Sequence, residues 1–298
     1  MLLALKVDVD TYRGTKEGVP RLLELLKKYR VDATFLFSLG PDNTGRALRR
    51  VFRPGFLGKV KRTSVVSHYG VRTLLNGTLL PGPDIGRRCA DLLRAVKKDG
   101  FEAGIHCWDH VRWQDGVAGA GFDWTERDLN RACRRFEEIF SEEARSMGAA
   151  GWQTNRHAAF IQEQRFAYAS DTRGFSPFLP LWDGVRVGCP QLPTTLPTLD
   201  ELLGADGIHE GNVHEHLLGL TREPKIHVFT AHAELEGGKL GGVFERLLAG
   251  WKGQGYDIVD MKTLFGTLDR SALPRHDVVY GEVPGRSGTL ALQAKEPA

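Results

Sequence analysis

Apolar and polar residues alternate along the chain in blocks that predict strands followed by helices. An apolar strand is predicted over residues 2–8, an amphipathic helix over 17–30 with leucines at positions 22, 23, 25 and 26, and a second strand over 33–37. A helix over 87–98, a strand over 101–105 and a long helix over 125–147 follow. Strands that alternate with helices indicate parallel pairing through crossover helices, so the pattern predicts an α/β fold.

Two acidic side chains lie at the end of the first predicted strand. Asp8 and Asp10 point to the same side of a strand, with Cα atoms about 6.5 to 7 Å apart. Two anions held close together in a half-buried place need a raised pKa or a cation between them. The pair therefore predicts shared chemistry, although either aspartate alone is as well explained as a helix cap or a turn former.

Histidines at metal-ligand spacing occur downstream. His106 and His110 would face the same way on a helical turn that follows the strand predicted over 101–105. Two imidazoles and one carboxylate make a three-ligand metal site with a position open for water. A lone His-x-x-x-His is weak evidence. It gains weight from His232, which falls just past the apolar segment 225–229, where α/β folds collect catalytic groups.

Further motifs occur in order along the chain, to about residue 265. They are residues 7–15, 106–115, 148–152 (Gly-Ala-Ala-Gly-Trp), 170–174 (Ser-Asp-Thr-Arg-Gly), 190–197 with three prolines, and 229–234 (Phe-Thr-Ala-His-Ala-Glu). On these residues the chain resembles the NodB-type polysaccharide deacetylase family. More closely, it resembles the ArnD deformylases, which act on 4-deoxy-4-formamido-L-arabinose linked through phosphate to undecaprenol.

The resemblance implies a fold, a metal site and a catalytic pair. The fold would be a distorted, incomplete β/α barrel with its site at the carboxyl ends of the strands. Asp10, His106 and His110 would hold one divalent metal ion, zinc first, with manganese, cobalt and nickel as alternatives. Asp8 would be the general base and His232 the general acid.

Further residues are expected in the site, Asp171 from the same resemblance and the tryptophans because their rings can stack on a sugar. Asp171 would orient His232 from behind, with Arg173 beside it, although an aspartate in this run is also typical of an Asx-turn. Trp108, Trp152 and Gln191 are expected to contact the substrate, with core packing as the alternative for each tryptophan.

The chain departs from the family pattern at two positions. Related sequences carry an arginine after the Gly-Trp pair, where this chain has Gln153, and Arg156 or Arg173 could replace that cation. Cys107 follows the first metal histidine. Since neighbouring side chains point apart, we expect a packed cysteine rather than a metal ligand.

Composition indicates one globular unit. A chain of 298 residues, 41% hydrophobic and 26% charged, can bury a large core. We expect one domain over residues 1–268, with an insertion over about 43–86, and an extended or frayed tail over 269–298. Four cysteines without C-x-x-C pairs are typical of a reducing compartment.

The distribution of apolar residues along the chain indicates where in the cell the protein is expected. Asp8 follows so soon after the first residue that no signal peptide is expected, and no segment reaches the ~18 to 20 apolar residues of a spanning helix. Together with the resemblance, this predicts a peripheral protein on the cytoplasmic side of the bacterial inner membrane.

The predicted insertion is basic. Ten Lys or Arg residues between positions 46 and 88, among aromatic and aliphatic residues, face a single acid, Asp84. This mixture favours an anionic membrane surface as partner. An ordinary insertion with a solvated basic face is the alternative. A nucleic-acid surface is weaker because no binding motif accompanies the charge, and no obligate protein partner is evident.

Three functions from different classes compete. The first is a deformylase of the undecaprenyl-phosphate-linked formamido sugar, which the resemblance connects with lipid A modification and resistance to cationic peptides such as polymyxin. The second is a NodB-like deacetylase of an N-acetylated sugar or oligosaccharide. The third is a non-enzymatic membrane-associated metal-binding protein, disfavoured because a base and an acid accompany the ligands.

Overall fold

The computed structural model describes residues 1–47 and 71–295, with Val71 as backbone only. Its centre is a seven-stranded parallel sheet in the order β5-β4-β3-β2-β1-β8, with β9 also paired to β1. The strands are β1 (Leu2–Val9), β2 (Thr34–Ser38), β3 (Glu102–Cys107), β4 (Ser146–Met147), β5 (Tyr168–Ala169), β8 (His227–His232) and β9 (Asp257–Val259). This parallel half-barrel confirms the predicted incomplete β/α barrel.

Helices connect and cover these strands. They are α1 (Val19–Tyr29), α2 (Val71–Leu75), α3 (Ile85–Arg88), α4 (Ala90–Lys98), α5 (His110–Gly116), α6 (Phe122–Phe140), α7 (Arg156–Arg165), α8 (Leu199–Leu202), α9 (Val213–Leu220), α10 (Gly241–Gly253) and α11 (Met261–Gly266). A π-helical turn spans Gly14–Gly18, and 3₁₀ turns span Val117–Gly119 and Ala150–Trp152.

Two predicted helices need correction. The helix predicted over 87–98 is divided at Cys89 into α3 and α4. The helix predicted over 125–147 runs only from Phe122 to Phe140, and Ser146–Met147 form the short strand β4.

The two faces of β1 have different roles. Leu3, Leu5 and Val7 are fully buried in the main core, together with leucines of α1. The alternate positions, Lys6 and Asp8, are also buried and lie on the opposite, inner face. Because parallel strands all end at the same edge, this inner face brings the polar residues at the ends of β1, β3 and β8 together.

A second, four-stranded sheet packs beside the half-barrel in the order β11-β10-β6-β7. Its strands are β6 (Leu179–Trp182), β7 (Val185–Arg186), β10 (Arg275–Glu282) and β11 (Thr289–Gln293). β10 and β11 form an antiparallel hairpin, and β10 pairs in parallel with β6. The expectation of a frayed tail after residue 268 is therefore wrong, since this region is a paired hairpin.

The basic insertion is described only at its ends. Residues 48–70, with most of its basic and aromatic side chains, lie outside the described residues, whereas α2 and α3 lie inside them. Among the helices of the described part, none combines the length and the apolar composition needed to cross a membrane.

Candidate active site

Three metal-ligating groups converge at the carboxyl edge of the half-barrel. Asp10 follows β1, His106 lies near the end of β3 and His110 is the first residue of α5. One ligand atom from each lies within 4.8 Å of the others. His106 Nε2 is 3.2 Å from Asp10 Oδ1, and His110 Nε2 is 3.5 Å from Asp10 Oδ2. The predicted ligand set is thus brought together.

The two histidines converge through a strand-to-helix turn and not, as expected, on one helical turn. His106 is still in strand conformation, and Asp109 begins the helix by accepting a hydrogen bond from Arg112 N at 3.1 Å. Asn43 Nδ2 holds the other carboxylate oxygen of Asp109 at 2.6 Å. The chain therefore turns from strand to helix between the two histidines, and their ring centroids lie 5.3 Å apart.

A backbone carbonyl determines which ring nitrogen of His106 carries a proton. Its Nδ1 lies 2.7 Å from the carbonyl oxygen of Gly148, which can only accept, so Nδ1 carries the proton. In the neutral ring, Nε2 presents a lone pair to Asp10 Oδ1, which lies 3.2 Å away and is buried. Two acceptors that face each other need a cation between them, so these residues fit a divalent metal ion.

The electrostatics point the same way. Burial raises the pKa of Asp10, but His110, His106 and His232 outweigh it and hold the pKa below its usual range. Burial lowers the pKa of His106, but Asp8 and Asp10 outweigh it and raise the pKa. The carboxylates thus draw positive charge to this point, as a metal site requires.

The predicted base and acid lie beside this group. Asp8 is 3% exposed, and its Oδ2 lies 3.8 Å from Lys6 Nζ while Oδ1 has no hydrogen-bond partner among the described residues. His232 is directly paired with Asp8 between β8 and β1. The ring of Trp152 stands edge-on to the imidazole of His232, with centroids 6.3 Å apart.

Asp171 does not make the predicted contact with His232. Its Oδ1 accepts from Ala149 N at 2.8 Å and its Oδ2 from Gln162 Nε2 at 2.7 Å. His232 Nδ1 has no hydrogen-bond partner within the described part of the chain. Asp171 instead braces the turn at 148–152, which supplies the carbonyl that orients His106.

The residues expected to contact substrate are engaged in the scaffold. Trp152 is 2% exposed and donates from Nε1 to Thr194 Oγ1 at 3.1 Å. Trp108 is half-buried, with the guanidinium of Arg135 5.1 Å from its ring centroid. Gln191 accepts from Asp171 N at 2.9 Å. Core packing, the alternative for both tryptophans, therefore describes their contacts.

Arg173 supports Trp152 together with an arginine of the C-terminal hairpin. The guanidinium carbons of Arg173 and Arg286 lie 5.0 and 4.7 Å from the Trp152 ring centroid. Both arginines pair with Glu201, and Arg173 also donates to Leu196 O at 2.9 Å. Since Trp152 contacts His232, this cluster fixes one wall of the site.

Neither arginine proposed to replace the missing cation at Gln153 lies against Asp8. Gln153 Nε2 donates to Thr289 O, Arg156 pairs with Asp183 on the surface and Arg173 pairs with Glu201.

Cys107 is buried and its Sγ lies 3.3 Å from Ser38 Oγ, as expected for a packed cysteine. Burial raises the pKa of its thiol well above the usual value.

Sequence reasoning missed Lys6 and Glu234. Glu234 Oε1 accepts hydrogen bonds from Asp10 N at 3.2 Å, Thr11 N at 2.8 Å and Thr11 Oγ1 at 2.8 Å, so it fixes the backbone that carries Asp10. Two signals were available. A lysine stands two positions before Asp8 in an apolar strand, and an acid stands two positions after His232.

Comparisons with known proteins agree with this geometry. The family model for polysaccharide deacetylase matches residues 3–165. Two relatives are named probable 4-deoxy-4-formamido-L-arabinose-phosphoundecaprenol deformylase ArnD. The protein from Shewanella sediminis (strain HAW-EB3) is 37% identical over 297 residues, which cover 98% of this chain and 94% of the relative. That from Wigglesworthia glossinidia brevipalpis is 32% identical over 285 residues, which cover 95% and 99%.

The fold has similar solved structures. The crystal structure of a probable polysaccharide deacetylase from Pseudomonas aeruginosa PAO1 matches with a TM-score of 0.58 at 14% identity, covering 89% of each chain. At this identity the match supports the fold alone, and it agrees with the predicted barrel.

Proposed function

The chain belongs to the polysaccharide deacetylase family, and from this premise we propose that it is a metal-dependent amide hydrolase that deformylates 4-deoxy-4-formamido-L-arabinose-phosphoundecaprenol. The products are the free 4-amino sugar lipid and formate, and the step serves lipid A modification and polymyxin resistance. The observation that carries the proposal is the pairing of Asp8 with His232 beside the Asp10, His106 and His110 group. Full-length similarity to two ArnD deformylases supports formyl as the acyl group.

The side chains divide the proton transfers between them. Asp8, with one oxygen unpartnered, takes the proton from the attacking water. His232, on the neighbouring strand, donates a proton to the departing sugar nitrogen, which leaves as an amine.

Asp10, His106 and His110 are the proposed ligands of one divalent ion. When bound, the ion would polarise the formyl carbonyl and lower the pKa of the attacking water. Two imidazoles and one carboxylate suit zinc best, and they also accept manganese, cobalt or nickel. Elemental analysis of the purified protein, before and after dialysis against a chelator, identifies the ion. A ratio of metal to protein near zero after reconstitution with all four metals would remove this assignment.

A basic cavity supports the lipid-phosphate part of the proposal. The cavity has a volume of about 990 Å³ and is lined by Tyr12, which follows Asp10 closely in the chain, and by the cations Arg13, Lys16, Arg72, Arg87 and Arg88. Two acids that line it, Glu17 and Asp84, pair with Arg13 and Arg87. Lys16, Arg72 and Arg88 have no carboxylate partner among the described residues. They are therefore proposed to attract the phosphate of the substrate and the anionic surface of the inner membrane from its cytoplasmic side.

The deformylase proposal is tested by formate release from a synthetic lipid-phosphate formamido sugar, with the acetamido analogue assayed in parallel. We expect formate release and little acetate release. Faster turnover of the acetamido substrate would favour the second candidate, a deacetylase of N-acetylated sugars, which the family match supports. Stable metal binding without turnover of either substrate would favour the non-enzymatic metal-binding protein.

The membrane part is tested with the triple variant Lys16→Gln, Arg72→Gln, Arg88→Gln. Removal of three cations is expected to raise KM for the lipid-phosphate substrate and to reduce sedimentation with phosphatidylglycerol vesicles, with kcat unchanged. The matched control replaces three exposed arginines of α6, Arg127, Arg131 and Arg134, by glutamine. Equal behaviour of the two triple variants would refute a membrane or phosphate role for the cavity.

A further inference from the structure

Lys6 is a fully buried lysine inside the half-barrel. It lies on the inner face of β1, two positions before Asp8, and its relative exposure is 0%. Lysine is rarely buried without a partner because an ammonium loses its hydration there. A fully buried lysine directly below a catalytic carboxylate therefore needs a physical explanation.

The surroundings of Lys6 Nζ are those of an ammonium ion. Nζ donates to Ser170 O at 3.2 Å, lies 3.8 Å from Asp8 Oδ2 and lies 5.5 Å from the centroid of the Trp152 ring. All three neighbours attract positive charge, and an ammonium has three N–H donors to offer them. Burial lowers the pKa of Lys6, and Asp8, Asp171 and Asp10 offset this shift only in part, with Arg173 acting in the same direction as burial.

The two oxygens of Asp8 are in different environments. Oδ2 faces Lys6, and Oδ1 is buried without a hydrogen-bond partner among the described residues. An ammonium at this distance from one oxygen restricts the rotation of the whole carboxylate. Within the described part of the chain, Lys6 forms the only ion pair of Asp8, since Arg156 and Arg173 are paired with Asp183 and Glu201.

Lys6 also lies next to the turn that orients the metal ligand. A Cβ added at Gly148 would be 3.4 Å from Lys6 Nζ, and Gly148 O holds His106 Nδ1. Lys6 Nζ also faces the ring of Trp152, and that ring in turn lies edge-on to the imidazole of His232. Lys6 Nζ thus lies close to Asp8, to the turn that orients His106 and to the tryptophan beside His232.

We propose that Lys6 is a positioning residue whose ammonium, 3.8 Å from Oδ2 of Asp8, fixes the orientation of that carboxylate toward the attacking water. This role rests on the proposed function, in which Asp8 is the base. It differs from a role in binding substrate, because Lys6 is buried beneath the site and has no surface to offer.

The kinetic test uses Lys6→Met, which keeps the length of the side chain and removes the charge. We expect kcat for formate release to fall about 100-fold, as misplacement of a reacting group by about 1 Å can cause, with KM within about twofold and metal content unchanged. Lys28→Met, which removes an exposed lysine paired with Glu245, is the control and should leave kcat unchanged. A Lys6→Met variant with wild-type kcat overturns the proposal.

A second measurement needs no substrate. Thermal unfolding of the metal-free wild type, Lys6→Met, Asp8→Asn and the double variant forms a cycle for the pair. If the ammonium and the carboxylate are paired, the double variant will have a higher Tm than the sum of the two single shifts predicts. Additive shifts refute the pairing. This cycle tests the pairing of Lys6 with Asp8 even if the wild type releases no formate. Absence of formate release would count against the proposed function alone.

Discussion

Asp8 and His232 occupy directly paired positions on the neighbouring parallel strands β1 and β8. Side chains paired in this way point to the same side of the sheet, on backbones about 4.8 Å apart. Both are buried, at 3% and 7% exposure, and both lie at the strand ends beside the metal-ligating group. As the proposed base and acid, these two side chains could act on the water and on the leaving nitrogen of the same amide.

Asp8→Asn is expected to abolish turnover and to keep the metal. The amide cannot accept the water proton, so kcat should fall by about 100-fold to 10,000-fold, whereas the three ligands are unchanged. Steady-state formate release and metal content by elemental analysis measure the two effects. Asp257→Asn, an exposed position on β9, is the control. Activity close to wild type in Asp8→Asn would exclude Asp8 as the base.

His106→Gln is expected to remove the metal and the stability that the metal provides. The imidazole Nε2 is lost, so zinc should no longer raise Tm. For the wild type, a free zinc concentration of 100 times Kd adds about 2.7 kcal/mol to the free energy of unfolding. Thermal unfolding across a zinc titration compares the variant with His209→Gln, a change at an exposed histidine outside the ligand group. A full zinc-dependent rise of Tm in His106→Gln would contradict the ligand assignment.

The sequence was sufficient to predict the parallel sheet from local patterns, and the pattern together with the family resemblance was sufficient to predict that Asp10, His106 and His110 lie close together. The alternation of polar and apolar positions in β1 separates the core face from the Asp8 face, and the order of strands and helices leads to parallel pairing. The spacing of His106 and His110 indicated convergence. It could not show that the chain turns from strand to helix between them, a geometry that depends on the cap at Asp109.

Contacts between distant segments could not be predicted in this way. The C-terminal strand β10 has one buried residue among exposed and half-buried ones, so its pattern is weak, and its partner β6 lies far away in the sequence. Asp171 was expected at His232, but the donors that reach it are Ala149 N and Gln162 Nε2. Lys6 interrupts an apolar strand, and its hydrogen-bond acceptor, Ser170 O, lies 164 residues away in the sequence.

Glu234→Ala is expected to destabilise the protein and to weaken metal binding. Three donors, two of them backbone N–H groups of Asp10 and Thr11, lose their buried acceptor, at a cost of at least about 2 kcal/mol in the free energy of unfolding. Displacement of the Asp10 backbone should also raise Kd for zinc. Urea unfolding and zinc titration measure the two effects.

Glu234→Gln is the matched control, since its amide oxygen can still accept from the same donors, and it should be closer to the wild type in both measurements. Gly14→Ala provides an independent comparison. A Cβ at Gly14 would overlap Glu234 Oε1 and should displace it, with an effect in the same direction as Glu234→Ala. Wild-type stability and zinc affinity in Glu234→Ala would show that the brace is dispensable.

Asp128, buried in α6, is expected to make stability depend on pH away from the active site. Burial raises its pKa to about 6, against the attraction of Arg112, whose Nε lies 3.3 Å from Oδ1. The folded state therefore holds a proton that the unfolded state, with a pKa near 3.9, has already released, and stability falls as pH rises from about 4 to 6. Asp128→Asn removes this loss. Relative to wild type, its free energy of unfolding should increase by up to about 3 kcal/mol between pH 4 and pH 7 in urea titrations.

Asp123→Asn, a change at an exposed position of the same helix, is the control and should show no such increase. A difference between Asp128→Asn and wild type that does not change with pH would refute the assignment.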